Sequence, residues 1–278
     1  MSGPRSSYFT LCDREIHVTQ WGERDRPALI LWHGLARTGR DFDTLAAALA
    51  DEYFILAPDT LGRGLSQWAR DPAAEYTLPN FGRMAEDLLD QLNIKTCRWV
   101  GTSMGGAIGM HVAGGHLHER ISHLVINDIG PELAPSAVER IINYVGQPPC
   151  FETIAELETW LRQVYAPYGH LSAAEWRQMA ETSSRRRDDG SLTLHYDPRI
   201  VAQFEANDGL GDQWADYDAI TARTLLLRGA ESDLLTPALA DEMTRRGPKA
   251  TRVDVDGVGH APALNVAGQI ALVRDWLG

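Results

Sequence analysis

The stretch 99–109, "WVGTSMGGAIG", decides how this chain folds. Ser103 sits between Gly101 and Gly105. The apolar run "CRWV" (97–100) leads into it, and the small-residue helical pattern "MGGAIGMHVA" (104–113) leads out. A Gly-x-Ser-x-Gly alone is a weak pattern in a chain with 25 glycines. Between a buried strand and a helix it becomes specific. The sharp turn holds the serine in a strained conformation that lifts its hydroxyl above the sheet, and the glycines remove side chains that would clash where strand and helix meet. The helix N-terminus then aims N–H groups at the same point, which suits a developing oxyanion.

Outward from this turn the text alternates strands with helices. "YFTLC" (8–12) and "EIHVTQWG" (15–22) read as a hairpin. "PALILWHG" (27–34), "YFILAPDT" (53–60), "CRWVGTS" (97–103) and "ISHLVINDIG" (121–130) are short apolar runs, the mark of strands buried on both faces. "DFDTLAAALADE" (41–52) and "NFGRMAEDLLDQLNI" (80–94) have helical spacing. The alternation predicts an α/β protein, a doubly wound, mostly parallel sheet of the eight-stranded type. It breaks after the sixth strand. Residues 131–222 read as a helix-rich insertion, "SAVERIINYVG", "ETIAELETWLRQVYAP", "SAAEWRQMAETSSRRRDDG" and "DPRIVAQFEAND", with "SLTLHY" (191–196) the one strand-like run. Such an insertion reads as a cap or lid over a core built from 1–130 and 223–278. The core pattern resumes with "TARTLLLRGAE", "PALADEMTRRG", "KATRVDVDGV" and "APALNVAGQIALVRDWL".

A serine hydroxyl needs a base, and the base needs a partner to orient it. His260 lies in "DGVGHAPALN", between the last strand and the last helix. Asp233 lies in "LLLRGAESDLLTP", after the strand that follows the insertion. The order Ser103, Asp233, His260 places each after a parallel strand, where such sheets gather their chemistry. Besides the N–H of Met104, the N–H of Leu35, just past His33-Gly34, could complete an oxyanion hole. Each piece alone has an ordinary structural reading, since a Gly-His in a loop is commonly just a loop.

Composition narrows the rest. Acidic residues number 38 against 26 basic, for a net charge of −12, which repels nucleic acid and anionic membranes. The three cysteines, Cys12, Cys97 and Cys150, are widely spaced and imply neither a disulfide framework nor a zinc knuckle. "MSGPRSSYFTLCDREIH" has no apolar signal-peptide core, and no run is long enough to span a bilayer, so a cytoplasmic protein is expected. No metal site is expected: His111, His116 and His118 in "HVAGGHLHE" lack a ligand-set signature. No dinucleotide loop follows the first strand, so no cofactor is expected. The two lysines, Lys95 and Lys249, stand at the sheet edge away from Ser103, which disfavours Schiff-base chemistry.

With these motifs in place, the chain resembles an α/β-hydrolase-fold protein along nearly its whole length. "HGLART" (33–38) resembles the oxyanion loop, "DTLGRGLS" (59–66) the segment after the next strand, "GTSMGG" (101–106) the nucleophile elbow, "GAESDLLTP" (229–237) the acid loop and "GVGHAP" (257–262) the histidine loop. The resemblance implies Ser103 as nucleophile, His260 as base, Asp233 as acid, and the Leu35 and Met104 N–H groups as oxyanion hole. The acid loop departs from the usual Gly-x-x-Asp, with Asp233 one residue farther from Gly229. That leaves Glu231 and, after the preceding strand, Asp128 in "VINDIGPEL" as rival acids.

Serine at the elbow disfavours dehalogenase and epoxide-hydrolase chemistry, which use aspartate there. Ala261 after the histidine argues against carbon–carbon bond hydrolases, where tryptophan is usual. Hydrolysis of a small carboxylic ester or lactone through an acyl-enzyme is the leading expectation. The alternatives are amide cleavage, carbon–carbon bond hydrolysis despite Ala261, cofactor-free haloperoxidase or perhydrolase chemistry, and a non-catalytic receptor on the same fold. The partner expected is a small molecule. His33, Gly34, Arg37, Trp160, Tyr165 and Trp214 are its candidate contacts, with Tyr168, Trp176 and Tyr196 completing the insertion's aromatic set. The competing reading is that these aromatics pack the insertion's helices and that Arg37 is solvated.

Overall fold

A computed structural model describes residues 3–205 and 212–278. The chain opens with an antiparallel hairpin, β1 (Arg5–Leu11) and β2 (Arg14–Trp21). Cys12 and Asp13 turn it, both at positive φ, as a two-residue loop matched to strand twist requires. Then come β3 (Ala28–Trp32), α1 (Asp43–Leu49), β4 (Phe54–Pro58), α2 (Pro72–Glu75), α3 (Leu78–Gln91), β5 (Cys97–Thr102), α4 (Met104–Gly114) and β6 (Ile121–Asn127). The inserted segment carries α5 (Pro135–Val145), β7 (Cys150–Phe151), α6 (Ile154–Val164), α7 (Ala173–Thr182), β8 (Ser184–Arg186), β9 (Leu192–Leu194), α8 (Ala202–Glu205) and α9 (Trp214–Ala219). The chain closes with β10 (Arg223–Gly229), α10 (Pro237–Met243), β11 (Thr251–Val255) and α11 (Ala267–Leu277).

Eight strands form one sheet in the order β1-β2-β4-β3-β5-β6-β10-β11. β2 runs antiparallel to β1 and β4, and every other pairing is parallel. The apolar runs become interior strands because helices cover both faces. In β3 all five residues are buried: Ile30 and Trp32 join the core under α3 and α4, while Leu29 and Leu31 join the core under α1 and α11. Parallel strands end at one edge, so the loops after β3, β5, β6, β10 and β11 converge there.

The insertion leaves the sheet after β6. It is not purely helical: β7, β9 and β8 pair as a small antiparallel sheet whose central strand, β9, lies in "SLTLHY". It is rooted on the 59–66 loop, where His195 O accepts from Gly64 N and Gly62 O accepts from Asp197 N, both at 2.8 Å, and beside it the Tyr76 hydroxyl at the end of α2 donates to Asp197 at 2.7 Å. The last three residues of "DPRIVAQFEAND" lie outside the described residues.

Candidate active site

Ser103 joins β5 to α4 with φ 52° and ψ −117°, a conformation sparsely populated by side-chain-bearing residues. Two glycines make this turn possible. A Cβ on Gly101 would lie 2.1 Å from Gly105 O, and one on Gly105 would lie 1.9 Å from Trp32 O. Any side chain there would push α4 off the sheet.

Ser103 Oγ stands 2.9 Å from His260 Nε2, and His260 Nδ1 stands 2.7 Å from Asp128 Oδ2. These three residues come from the ends of β5, β11 and β6. The Asp128 side chain is fully buried. It also accepts from Gly229 N (2.8 Å) and from the Ser232 hydroxyl (2.6 Å). Its carboxylate is thus held by one backbone and two side-chain donors, which fixes the imidazole with Nδ1–H toward the acid and Nε2 toward the serine. Asn127 secures the histidine loop by donating to Pro262 O at 2.9 Å and to Thr102 at 3.0 Å.

The expectation that Asp233 meets His260 is overturned. Asp233 is 60% exposed and pairs with Arg140 of α5 at 2.6 Å. The extra residue after Gly229 carries it past the histidine, and Ser232 takes the position facing inward. Glu231 also lies apart from the imidazole, on the rim of the cleft.

The N–H groups of Leu35 and Met104 have no partner among the described residues, and Leu35 lines the cleft above Ser103. Arg63, in "DTLGRGLS", braces both residues from behind. It donates through Nε to Leu35 O at 2.9 Å and through Nη2 to Met104 Sδ at 3.4 Å. It is fully buried, stacked against Tyr76 and Phe81, and burial pushes its guanidinium down to about 10.

The cleft holds about 560 Å³ and is floored by Ser103 and His260. Of the expected contacts, Gly34, Arg37, Tyr165 and Tyr168 line it. Arg37 is not solvated: it is 2% exposed, forked onto Asp41 at 2.6 and 2.8 Å, and stacked 4.8 Å from the Tyr165 ring. The other expected contacts stand elsewhere. His33 is buried beside the loop, with Nδ1 on Gly34 O (2.6 Å) and Nε2 accepting from Thr60 N (2.9 Å), so no ring nitrogen remains for a substrate. Burial pushes its imidazole down to about 4. Trp160 stacks on Tyr144 from behind the wall, and Trp214 packs under Arg246 with its indole N–H on Glu132. Trp176 and Tyr196 are buried away from the cleft, Trp176 under Arg162 and Tyr196 bridged to Arg63 with its hydroxyl on Val145 O. Sequence reasoning missed Arg140, Ile141, Tyr144 and Val145, which line the cleft from one face of α5. Their i, i+1, i+4, i+5 spacing, one face of a helix, was the available signal.

The comparisons with known proteins agree with this architecture. Residues 29–271 match the model of the Alpha/beta hydrolase family. The chain is 40% identical to a 3-hydroxybutyrate-oligomer hydrolase from Cupriavidus necator over 92% of this chain and 90% of that protein. It is 27% identical to a pimeloyl-[acyl-carrier protein] methyl ester esterase from Xanthomonas campestris, over 88% and 92% of the two chains. An alpha/beta hydrolase from Novosphingobium aromaticivorans superposes with a TM-score of 0.88 at 34% identity, over 100% of this chain and 99% of that one. Neither of the relatives named here is matched over less than 88% of this chain, so the likeness takes in the inserted segment as well as the sheet. With the strand order, the strained serine turn and the family match in agreement, this chain belongs to the alpha/beta hydrolase family.

Proposed function

We propose that the chain is an ester hydrolase that cleaves a small carboxylic ester or lactone through an acyl-enzyme on Ser103. One observation carries the reading: Ser103 Oγ, His260 and buried Asp128 form a continuous hydrogen-bonded line at the floor of a cleft. Hydrolysis of ester bonds is also what relatives spanning nearly the whole chain are named for.

His260 Nε2 accepts the Ser103 proton as Oγ attacks the carbonyl carbon. Asp128 keeps Nδ1 protonated and stabilises the imidazolium that forms. The N–H groups of Leu35 and Met104 stabilise the tetrahedral oxyanion. His260 then returns the proton to the departing alcohol, and the acyl-serine forms. A water that gives its proton to the same nitrogen attacks the acyl carbon, and the acid leaves with Ser103 restored. A lactone follows the same course with the alcohol still tethered to the acid. The inserted segment acts as a cap whose α5 and Tyr165 wall limit the size of the acyl and alcohol groups. An oligomer of 3-hydroxybutyrate, an ester chain, is the first natural substrate to try, given the Cupriavidus relative.

The test is hydrolysis of a p-nitrophenyl ester series, acetate to octanoate, and of 3-hydroxybutyrate dimer, by wild type and Ser103→Ala. Turnover lost in the variant is expected. A folded wild type that turns over none of them and whose Ser103 ignores a fluorophosphonate would overturn the proposal.

A further inference from the structure

We infer that Arg37 forms a carboxylate subsite in the cleft, so that the favoured substrates are short esters bearing a free carboxylate a few bonds from the scissile carbonyl. This rests on the serine-hydrolase reading of the same cleft and names its substrate class.

Arg37 is a cation placed where water does not solvate it. Its Nε and Nη2 are spent on Asp41, at 2.8 and 2.6 Å. Its Nη1 is buried and has no partner among the described residues. Leaving a buried guanidinium nitrogen unpaired is costly, and sites that do so commonly await an acceptor. A second unspent donor stands beside it. The Tyr144 and Tyr165 hydroxyls share one hydrogen bond at 3.3 Å, which leaves one of their two protons without an acceptor among the described residues, and the Tyr165 ring lies over the guanidinium. Arg37, Tyr144 and Tyr165 all line the cleft that Ser103 floors. A carboxylate, with two oxygens and no proton, fits this surplus of donors, whereas an alkyl group would leave it unpaired.

The position sets the reach. A Cβ built on Gly34 would lie 3.7 Å from Ser103 Cβ and 3.9 Å from Arg37 Cγ, so the arginine stem begins about two van der Waals contacts from the nucleophile. Asp41 offsets much of the cation's charge, so selectivity rests on directed hydrogen bonds more than on long-range attraction. The bland alternative is that Arg37 only braces the 34–41 loop, with its own N–H on Gly34 O and its side chain on Asp41.

The experiment compares isosteric ester pairs by proton release. Monoethyl glutarate is set against ethyl 5-methylhexanoate for a carboxylate on the acyl side. 3-Acetoxypropanoate is set against isopentyl acetate for one on the alcohol side. Wild type should favour the charged member of at least one pair by about tenfold in kcat/KM, and Arg37→Gln should bring that ratio to about one. Arg37→Lys, which keeps the charge but not the fork, should fall between. Glutarate binding to Ser103→Ala, measured by calorimetry, gives a readout independent of turnover and should weaken about tenfold when Arg37→Gln is added. Equal ratios for wild type and Arg37→Gln in both pairs, or glutarate binding indifferent to Arg37, overturns the subsite. Neutral esters cleaved without preference would do so while leaving the serine-hydrolase reading intact. No ester cleaved, with Arg37-dependent glutarate binding, would overturn the serine reading and keep the subsite.

Discussion

Ser232 Oγ donates to Asp128 Oδ2 at 2.6 Å, and Ser232 is the third residue after Gly229. That is the position where a Gly-x-x-Asp loop would carry its acid. On the proposed reading the acid sits instead after the neighbouring strand β6, and a hydroxyl occupies the loop position. Asp128→Asn should therefore lower kcat about ten-thousand-fold, because an amide there favours the wrong imidazole tautomer. Asp233→Asn should change kcat less than about threefold, since an exposed carboxylate paired with Arg140 has little leverage on the barrier. Steady-state kinetics on one activated ester decides it, and the reverse ranking would return Asp233 to the site.

The same pair predicts a rescue. In the double variant Asp128→Asn/Ser232→Asp, a carboxylate would enter from the β10 loop beside the position of the old one. Activity should recover at least about tenfold over Asp128→Asn alone, as the histidine regains an anionic partner that orients its ring. A double variant no more active than the single one would mean that the loop cannot bring residue 232 to the imidazole.

This relocation shows what the sequence could and could not reveal. The fold was legible because β3, β4, β5, β6 and β10 are short apolar runs separated by helical text, which parallel pairing demands. Ser103 and His260 were legible because each motif has one serine or one histidine at a strand end. The acid was not, because three carboxylates, Asp128, Glu231 and Asp233, follow adjacent strands, and one residue of loop length decides which turns inward. Arg37 could be read either as a substrate contact or as a solvated cation, since its burial by Tyr165 depends on where the inserted segment lands. Trp214 was misplaced for the same reason: an aromatic within the insertion can pack beneath the segment as readily as over the serine.

Backbone strain at the serine gives a stability prediction. Glycine normally costs a helix or turn about 0.5–1 kcal/mol relative to alanine. At φ 52° and ψ −117° the order should invert, because only glycine adopts this conformation freely. Ser103→Gly should be more stable than Ser103→Ala by about 1 kcal/mol in urea denaturation. Both variants lack the hydroxyl, so the comparison isolates the backbone. Ser103→Ala the more stable of the two, by about the usual 0.5–1 kcal/mol, would show that the turn is unstrained.

Arg63 touches no cleft surface but holds Leu35 O and Met104 Sδ, behind the two N–H groups assigned to the oxyanion. Arg63→Met should lower kcat about a hundredfold with KM within about threefold, the pattern of support lost chiefly in the transition state. Titrating active sites with a fluorophosphonate corrects for any unfolded fraction. A rise in KM at constant kcat would instead assign Arg63 to substrate binding.

His33 predicts how stability responds to acid. Its imidazole is buried without a charged partner in contact, and burial holds it at about 4 in the folded chain, against about 6.5 when unfolded. The folded state therefore refuses a proton that the unfolded state accepts between those values. Stability contributed by this site is full above pH 6.5, falls as the pH drops from about 6.5 to about 4, and levels off below, a loss on the order of 3 kcal/mol. His33→Gln should be less stable than wild type at pH 7, since it disturbs the bonds to Gly34 and Thr60. Its stability should nonetheless change less between pH 7 and pH 4.5, because no imidazole remains to titrate. Urea midpoints of the two proteins across that range test the sign directly. Parallel pH curves would show that His33 takes up its proton equally in both states, and would remove the buried neutral imidazole from the account of this loop.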